Sequence, residues 1–244
     1  EDLLNRGLIK IDNKKNELLY FGKSILVTGA AGSIGSEIVK QVIKFKPARI
    51  ILLDNSETPM FNIKEELALI SNDIELLYFI DSVTDKKAVN EIFLLYKIDI
   101  VFHAAAYKHV NMMEANPRTS ILNNVYGTKL IIDFSIEYNV HKFVLISSDK
   151  AVNPTNVMGA SKRICELYLA SKISDSENKT KFITTRFGNV LGSNGSVVPI
   201  FEKQIRNGGP ITITHPDIVR YFMTIPEAAQ LVIEAGAIGR GGEV

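Results

Sequence analysis

Two clusters in this sequence carry residue types at spacings that could do chemistry. The first is Thr28-Gly29-Ala30-Ala31-Gly32-Ser33-Ile34-Gly35, which follows a short apolar run and leads into a helical pattern. Gly29 permits a tight turn, Gly32 lets the backbone approach a pyrophosphate, and Gly35 allows a helix to pack closely on a strand. N–H groups of the first helical turn, at Ser33, Ile34 and Gly35, then bind phosphate. Nineteen residues beyond Gly35, Asp54 ends the second apolar run and is followed by Asn55 and Ser56. A carboxylate there accepts hydrogen bonds from the adenosine ribose and repels a 2′-phosphate, which selects NAD over NADP. Asp81 and Ser82, after the third run, are candidates to meet the adenine amino group; Asp81 could instead cap a helix from Thr84.

The second cluster is Ser147-Ser148-Asp149-Lys150, followed by Met158-Gly159-Ala160-Ser161-Lys162. An acid and a base stand side by side at the end of an apolar run, and Lys162 lies one helical turn beyond Met158. Lys108 and His109, just past the fourth run, are candidates to line a substrate site. Arg220 is a candidate partner for a phosphate, or for Asp217 or Glu227 in a structural ion pair. His103 reads as a structural residue at a strand end. His141 and His215 lack the partners a metal would need, so no metal site is expected.

These residues need a scaffold, and the pattern supplies one. Nearly continuous apolar runs at 24–28, 49–53, 74–79, 99–103, 142–147 and 181–187 fit parallel strands covered on both faces. Helical patterns separate them: one with Ile34, Ile38 and Val42 on a single face, then 59–71, 84–96, 120–138 and 157–171. Regular alternation predicts an α/β fold, a Rossmann-type doubly wound parallel sheet with right-handed crossovers. Residues 1–20 are expected as an N-terminal arm and 21–187 as the NAD-binding domain. The irregular, Gly/Asn/Ser/Pro-containing segment 188–244 is expected as a small substrate-binding region, cut short at its C-terminal end.

A chain of 244 residues can bury roughly 70% of its unfolded surface, so neither disulfide nor metal is needed to hold it. With 28 basic against 27 acidic residues there is no basic surface of the kind that nucleic acid or an anionic membrane requires. The single Cys165 fits a reducing, cytoplasmic setting. No apolar run is long enough to cross a bilayer. Both ends look trimmed, so this describes the chain in hand and leaves open a natural protein with a membrane segment.

The glycine spacing, with His103-Ala104-Ala105-Ala106 after the fourth run and Asn124-Val125-Tyr126-Gly127-Thr128 on the central helix, resembles the extended short-chain dehydrogenase/reductase superfamily. The resemblance implies that Ala104, Ala105 and Ala106 lie beside the nicotinamide ribose. It also implies a Tyr-x-x-x-Lys pair, in which the Lys binds that ribose and the phenolate takes a hydroxyl proton. Here the Tyr position is Met158, while Lys162 is retained. A thioether cannot take a proton, so either catalysis is lost or another group acts. Asp149 and Lys150 decide between these. An enzyme that only moved hydride would not need the pair; one that also eliminates water does.

The segments SSDKAVNPTNVMGASKR, HAAAYKHVNMMEANP and THPDIVRYFMTIPEA closely resemble the nucleotide-sugar 4,6-dehydratases of bacterial polysaccharide and glycan synthesis, in the UDP-N-acetylglucosamine branch where Met replaces Tyr. The resemblance runs from about residue 12 onward. It implies oxidation at C4′, removal of the C5′ proton by Lys150, protonation of the departing C6′ hydroxyl by Asp149, and return of the hydride to C6′. Lys162 would hold the nicotinamide ribose, and Ser148 would bond the 4′-oxygen and relay its proton. Asn189 and Val190 would meet the substrate diphosphate, with Ser193, Ser196 and Val197 in a loop over the uracil. Met-containing members resemble the group that retains configuration at C5′. Relatives pair through helices corresponding to 120–138 and 157–171, so a homodimer is expected, and they are often cytoplasmic parts of inner-membrane proteins with N-terminal membrane helices. An epimerase or 4-reductase on the same scaffold, and a non-catalytic NAD-binding sensor, are the competing readings.

Overall fold

The computed structural model describes residues 13–70, 73–173, 178–193, 195, 197–213, 215–217 and 219–244. At its centre six strands, β1 (Ser24–Thr28), β2 (Arg49–Asp54), β3 (Glu75–Ile80), β4 (Ile100–His103), β5 (Lys142–Ile146) and β6 (Lys181–Thr185), form one sheet. Their order is β3-β2-β1-β4-β5-β6, and every neighbouring pair is parallel. This is the Rossmann-type doubly wound sheet expected from the alternation. Strands β1, β4 and β5 are buried along their whole length, which is why they read as unbroken apolar runs.

Helices cover both faces. On one, α2 (Ser33–Val42), α3 (Glu57–Ala68) and α10 (Ile225–Ile238) enclose a core containing Ile25, Ile38, Ile50, Leu67, Phe102 and Val232. On the other, α4 (Lys86–Leu95), α7 (Gly127–Glu137) and α8 (Val157–Ile173) cover Leu26, Ile51, Val101, Phe143 and Phe182. The helix expected over 120–138 is divided: α6 (Pro117–Ser120) passes through a π-helical turn at Ile121–Tyr126 into α7. The short α5 (Val110–Ala115) precedes it.

Residues 188–244 divide in space. Strands β7 (Asn189–Leu191) and β8 (Phe222–Thr224) pair in a small separate sheet, with α9 (Val197–Arg206) between them in sequence. Helix α10 instead returns to the main sheet beside α2 and buries Ala228, Ala229, Val232 and Ile233. Thr224 and Glu227 form its capping box, with Pro226 in the first turn. The N-terminal segment is also built in. Helix α1 (Asn13–Tyr20) ends on Tyr20, fully buried, whose hydroxyl donates to the Ile233 carbonyl at 2.6 Å. Lys142 closes the other end of α10, its buried ammonium donating to the carbonyls of Gly236, Ala237 and Gly239.

Candidate functional site

The strand order reverses between β1 and β4, and a crevice opens there at the C-terminal ends of the strands. It has a volume of about 250 Å³ and is lined by residues that follow four successive strands: Gly29, Ala31 and Gly32; Asp54, Asn55 and Ser56; Asp81; and Ala104, Ala105, Ala106 and Tyr107. Gly29 has φ +64°, and a Cβ there would stand 2.6 Å from the Ala105 nitrogen. A Cβ on Gly35 would overlap the Gly29 carbonyl. Both positions therefore require glycine, for the turn and for the approach of α2 to it. Asp54 accepts from the Ala31 N–H on Oδ2 and from the Ser56 N–H on Oδ1, each at 3.0 Å. An ionised carboxylate has further acceptor capacity on both oxygens, so it can also take ribose hydroxyls.

Ser33 and Ile34 begin α2; the Ile34 side chain packs on the core, so what it offers a ligand is its backbone. The Ser82 hydroxyl is shared with Thr84 at 2.8 Å. Asp85, not Asp81, caps α4, which starts at Lys86 and leaves Asp81 lining the crevice. The glycine cradle, the helix start and the carboxylate together fit a dinucleotide.

His103 ties the crevice together from below. It is fully buried, with Nδ1 2.7 Å from the Thr28 hydroxyl and Nε2 2.8 Å from the Thr128 hydroxyl. The Thr28 carbonyl accepts from Ala104 N and its hydroxyl from Ala105 N, so one network spans the glycine loop and the alanine segment. Burial, reinforced by the charge of Lys162, depresses the imidazole to about 3. His103 is thus neutral and structural, as its strand-end position suggested.

At the end of β5, Ser148, Asp149 and Lys150 enter a 3₁₀ turn. The Ser148 hydroxyl donates to Asp149 Oδ1 at 2.9 Å, and Lys150 Nζ donates to the same oxygen at 3.0 Å. Burial pushes the Asp149 carboxyl upward, but the hydrogen bonds from Lys150 and Ser148 outweigh it and hold the group below its usual range. Asn189 Oδ1 lies 3.5 Å from Lys150 Nζ, which brings β7 to the same centre. Helix α8 starts close by. A Cβ on Gly159 would overlap the Lys150 carbonyl, Asn156 accepts from Gly159 N at 2.8 Å, and Glu114 of α5 accepts from Val157 N at 2.6 Å. Met158 is buried at the start of this helix. Lys162, also buried, donates from Nζ to the Ile146 carbonyl at 2.8 Å, and burial lowers its pKa.

The other expected substrate residues fare unequally. Lys108 and His109 are exposed before α5, and the imidazole lies against Gly195, so the fourth-strand loop meets the loop after β7. Val190 turns its side chain inward, and the Ser193 hydroxyl is committed to the Val190 carbonyl at 2.9 Å. Val197 opens α9, and Ser196 lies outside the described residues. Arg220 is exposed and donates to the Val219 carbonyl; Asp217 stands 3.8 Å from His215, and Glu227 is buried at the α10 cap. Among the described residues no ion pair joins Arg220 to Asp217, and the phosphate alternative for Arg220 stays open.

Two further groups matter here: Asn124, noted in the sequence only as part of a motif, and Glu166, which the sequence reading missed. Asn124 accepts from Tyr107 N and donates to the Tyr107 carbonyl and the Ser161 hydroxyl, linking the alanine segment to α8. Glu166, buried one turn beyond Lys162, accepts from Ser147, Arg163 and Arg186. Its i+4 spacing from Lys162 and the charge at position 186, where an apolar strand ends, were the available signals. Among the described residues no cluster of His, Cys, Asp and Glu could hold a metal, and no helix is long and apolar enough to cross a membrane.

Comparison with known proteins agrees with this geometry. The profile of the family described as "Polysaccharide biosynthesis protein" matches residues 25–244. The chain is 51% identical over 245 residues to the capsular polysaccharide biosynthesis protein CapD of Staphylococcus aureus, covering 100% of this chain and 41% of that protein. It is 36% identical over 229 residues to a UDP-N-acetylglucosamine 4,6-dehydratase (inverting) of Campylobacter jejuni, covering 93% and 67%. A UDP-glucose 4-epimerase of Rickettsia canadensis is 35% identical over 233 residues, covering 93% and 66%. The solved structure of Pen from Bacillus thuringiensis superposes with a TM-score of 0.84 at 37% identity, covering 91% of this chain and 67% of that one. The chain belongs to the polysaccharide biosynthesis protein family, an extended short-chain dehydrogenase/reductase fold of the nucleotide-sugar dehydratase and epimerase kind.

Proposed function

We propose that this chain is the catalytic domain of an NAD-dependent nucleotide-sugar 4,6-dehydratase acting on UDP-N-acetylglucosamine. The observation that carries the reading is the Asp149–Lys150 pair, 3.0 Å apart, at the C-terminal edge of the sheet beside a crevice that fits a dinucleotide. The 36% identity to a protein of that activity supports the substrate. Because the chain spans 41% of CapD, the activity of a whole protein of that length belongs to the proposal too.

The glycine loop, Asp54 and Lys162 would hold NAD, which would supply a reversible hydride acceptor. The chain handles the protons. Ser148 hydrogen-bonds the 4′-oxygen and passes its proton to Asp149, which the neighbouring Lys150 keeps ionised and ready. Asp149, now neutral, is the acid that protonates the departing C6′ hydroxyl, which leaves as water. Lys150, once its ammonium has released a proton to solvent after Asp149 is neutralised, takes the C5′ proton acidified by the C4′ ketone and later returns it to C5′. Lys108, His109 and Asn189 border the sugar.

The test is incubation with NAD and UDP-N-acetylglucosamine, followed by mass spectrometry. The expected product is lighter by one water, with none from the Asp149→Asn or Lys150→Ala proteins. An isomer of unchanged mass would support the second reading, an epimerase, which the 35% identity to such an enzyme favours. Binding without turnover would leave a sensor. Proton couplings in the fresh product report C5′, where retention is expected. Exposed Ile121, Leu122, Ile164 and Leu167 on the π turn and α8 support pairing of two chains, expected as a dimer mass in sedimentation.

A further inference from the structure

We propose that Glu166 is a positioning residue for the elimination step, acting with Arg186 to hold the Ser148–Lys150 turn; the proposal rests on the dehydratase reading. Glu166 sits on α8, 4% exposed, and its two carboxylate oxygens are fully engaged. Oε1 accepts from the Ser147 hydroxyl at 2.6 Å and Arg186 Nε at 2.8 Å; Oε2 accepts from Arg186 at 2.6 Å and Arg163 at 3.0 Å. Arg186 meets it with a planar fork, the geometry that fixes direction as well as distance.

What this network grips is the segment beneath the acid–base pair. Ser147 N donates to the Thr185 carbonyl at 2.7 Å, and Asp149 N donates to the Phe187 carbonyl at 3.2 Å. Arg186 lies between those two acceptors. One carboxylate therefore anchors both strands of this extension: β5 through Ser147, and the end of β6 through Arg186. The same helix holds β5 a second time, through Lys162 on the Ile146 carbonyl. The Asp149 and Lys150 side chains are half-exposed, and Lys150 Nζ also lies 3.5 Å from Asn189 Oδ1. Reactivity depends on a hydroxyl proton and a C–H bond being met at close range, and a misplacement of about 1 Å from a distant mutation can cost 100-fold. Glu166 touches neither substrate nor cofactor in this scheme; it sets where the acid and base stand.

The experiment uses the whole chain with NAD and UDP-N-acetylglucosamine. Glu166→Gln keeps the shape but turns an amide N–H toward Arg186. Expected are a kcat for dehydration lower by on the order of 100-fold, a KM within about twofold of the parent, and NADH accumulating during turnover as elimination lags. Glu166→Gln with Arg186→Gln removes the buried charge as a pair, keeps the fold, and is expected to show the same lag. Hydrogen–deuterium exchange of the peptide spanning 142–152 should quicken in both variants, while β1 and β4 stay protected. Unchanged exchange in that peptide, or unchanged kcat with no NADH lag, overturns the role of Glu166. A parent protein that makes no dehydrated product instead overturns the dehydratase reading, and the exchange comparison still decides whether Glu166 holds the turn.

Discussion

Acid should loosen this protein through His103 before it touches any carboxylate. The imidazole is fully buried, neutral, and depressed to about 3, against an ordinary value of 6.5. Between those values the unfolded chain binds a proton that the folded chain refuses. The stability that this neutral histidine represents is therefore complete above about pH 6.5 and is lost as pH falls toward about 3. Its slope is roughly 1.4 kcal/mol per pH unit, so by about pH 5 the fold is weaker by about 2 kcal/mol from this residue alone. Protonation would force both ring nitrogens to donate, and Lys162 nearby opposes the added charge.

The assay is urea unfolding followed by circular dichroism at a series of pH values between about 8 and 5, on the parent and on His103→Gln. The variant is expected to be less stable near neutrality, by about 1–3 kcal/mol, because Thr28 and Thr128 lose part of their network. Its pH dependence, however, should be flatter than the parent's by about 2 kcal/mol across that range. Parallel curves would refute the reasoning, since they would mean that His103 titrates alike in both states.

Three other outcomes follow from particular contacts. Gly35→Ala should abolish NAD binding, measured by calorimetry, because its Cβ overlaps the Gly29 carbonyl; the cost in stability should be about 1–3 kcal/mol. Lys142→Met leaves the carbonyls of Gly236 and Ala237 in α10, and of Gly239 just beyond it, without their donor and should cost about 1–3 kcal/mol in thermal or urea unfolding, with no change in nucleotide affinity. Asp54→Asn should narrow the preference for NAD over NADP, read as a ratio of dissociation constants, because the charge that repels a 2′-phosphate is gone.

The parallel sheet was legible because β1, β4 and β5 are buried on both faces and leave no polar position to break the run. The strand ends were less so. Ser147 and residues 186–187 were expected inside β5 and β6, and they do pair, but as isolated backbone contacts around the turn at Asp149. The three-residue β7 and β8 are too short for periodicity to reveal, and α9 carries a proline and buries none of its residues. Helix α10 was not expected, since 188–244 read as irregular, although Thr224-Ile225-Pro226-Glu227, a capping box before an apolar run, was a signal for it. Its destination could not be read, because contact between α10 and α2 links residues nearly two hundred apart in the chain. The same limit hid Glu166: Arg163 is its i−3 neighbour on α8, but Ser147 and Arg186 reach it from the ends of β5 and β6, and only the fold brings those together.

In the proposed dehydratase mechanism, Met158 in place of the phenol shifts the first proton transfer onto Ser148 and Asp149, and this shift can be tested by itself. A carboxyl acting as the first acceptor must begin ionised; Lys150 and Ser148 hold Asp149 in that form. Having taken the 4′-hydroxyl proton, it is then the neutral acid that the departing C6′ hydroxyl needs, so one residue serves two steps without a proton from outside. The link is the Ser148 hydroxyl, 2.9 Å from Asp149 Oδ1. Ser148→Ala should cut it. NADH formation in a single turnover is expected to slow by about 100-fold or more, the range for a lost proton-transfer group. The change also removes the bond that the Lys150 N–H makes to the Ser148 hydroxyl at 3.2 Å, but the Lys150 ammonium keeps its contact with Asp149, so a 4-keto sugar nucleotide supplied directly should still exchange its C5′ hydrogen with deuterated solvent. NADH appearing at the parent rate in Ser148→Ala would place the first acceptor elsewhere. Loss of C5′ exchange in the same variant would mean that the substitution had displaced the turn, and with it Lys150.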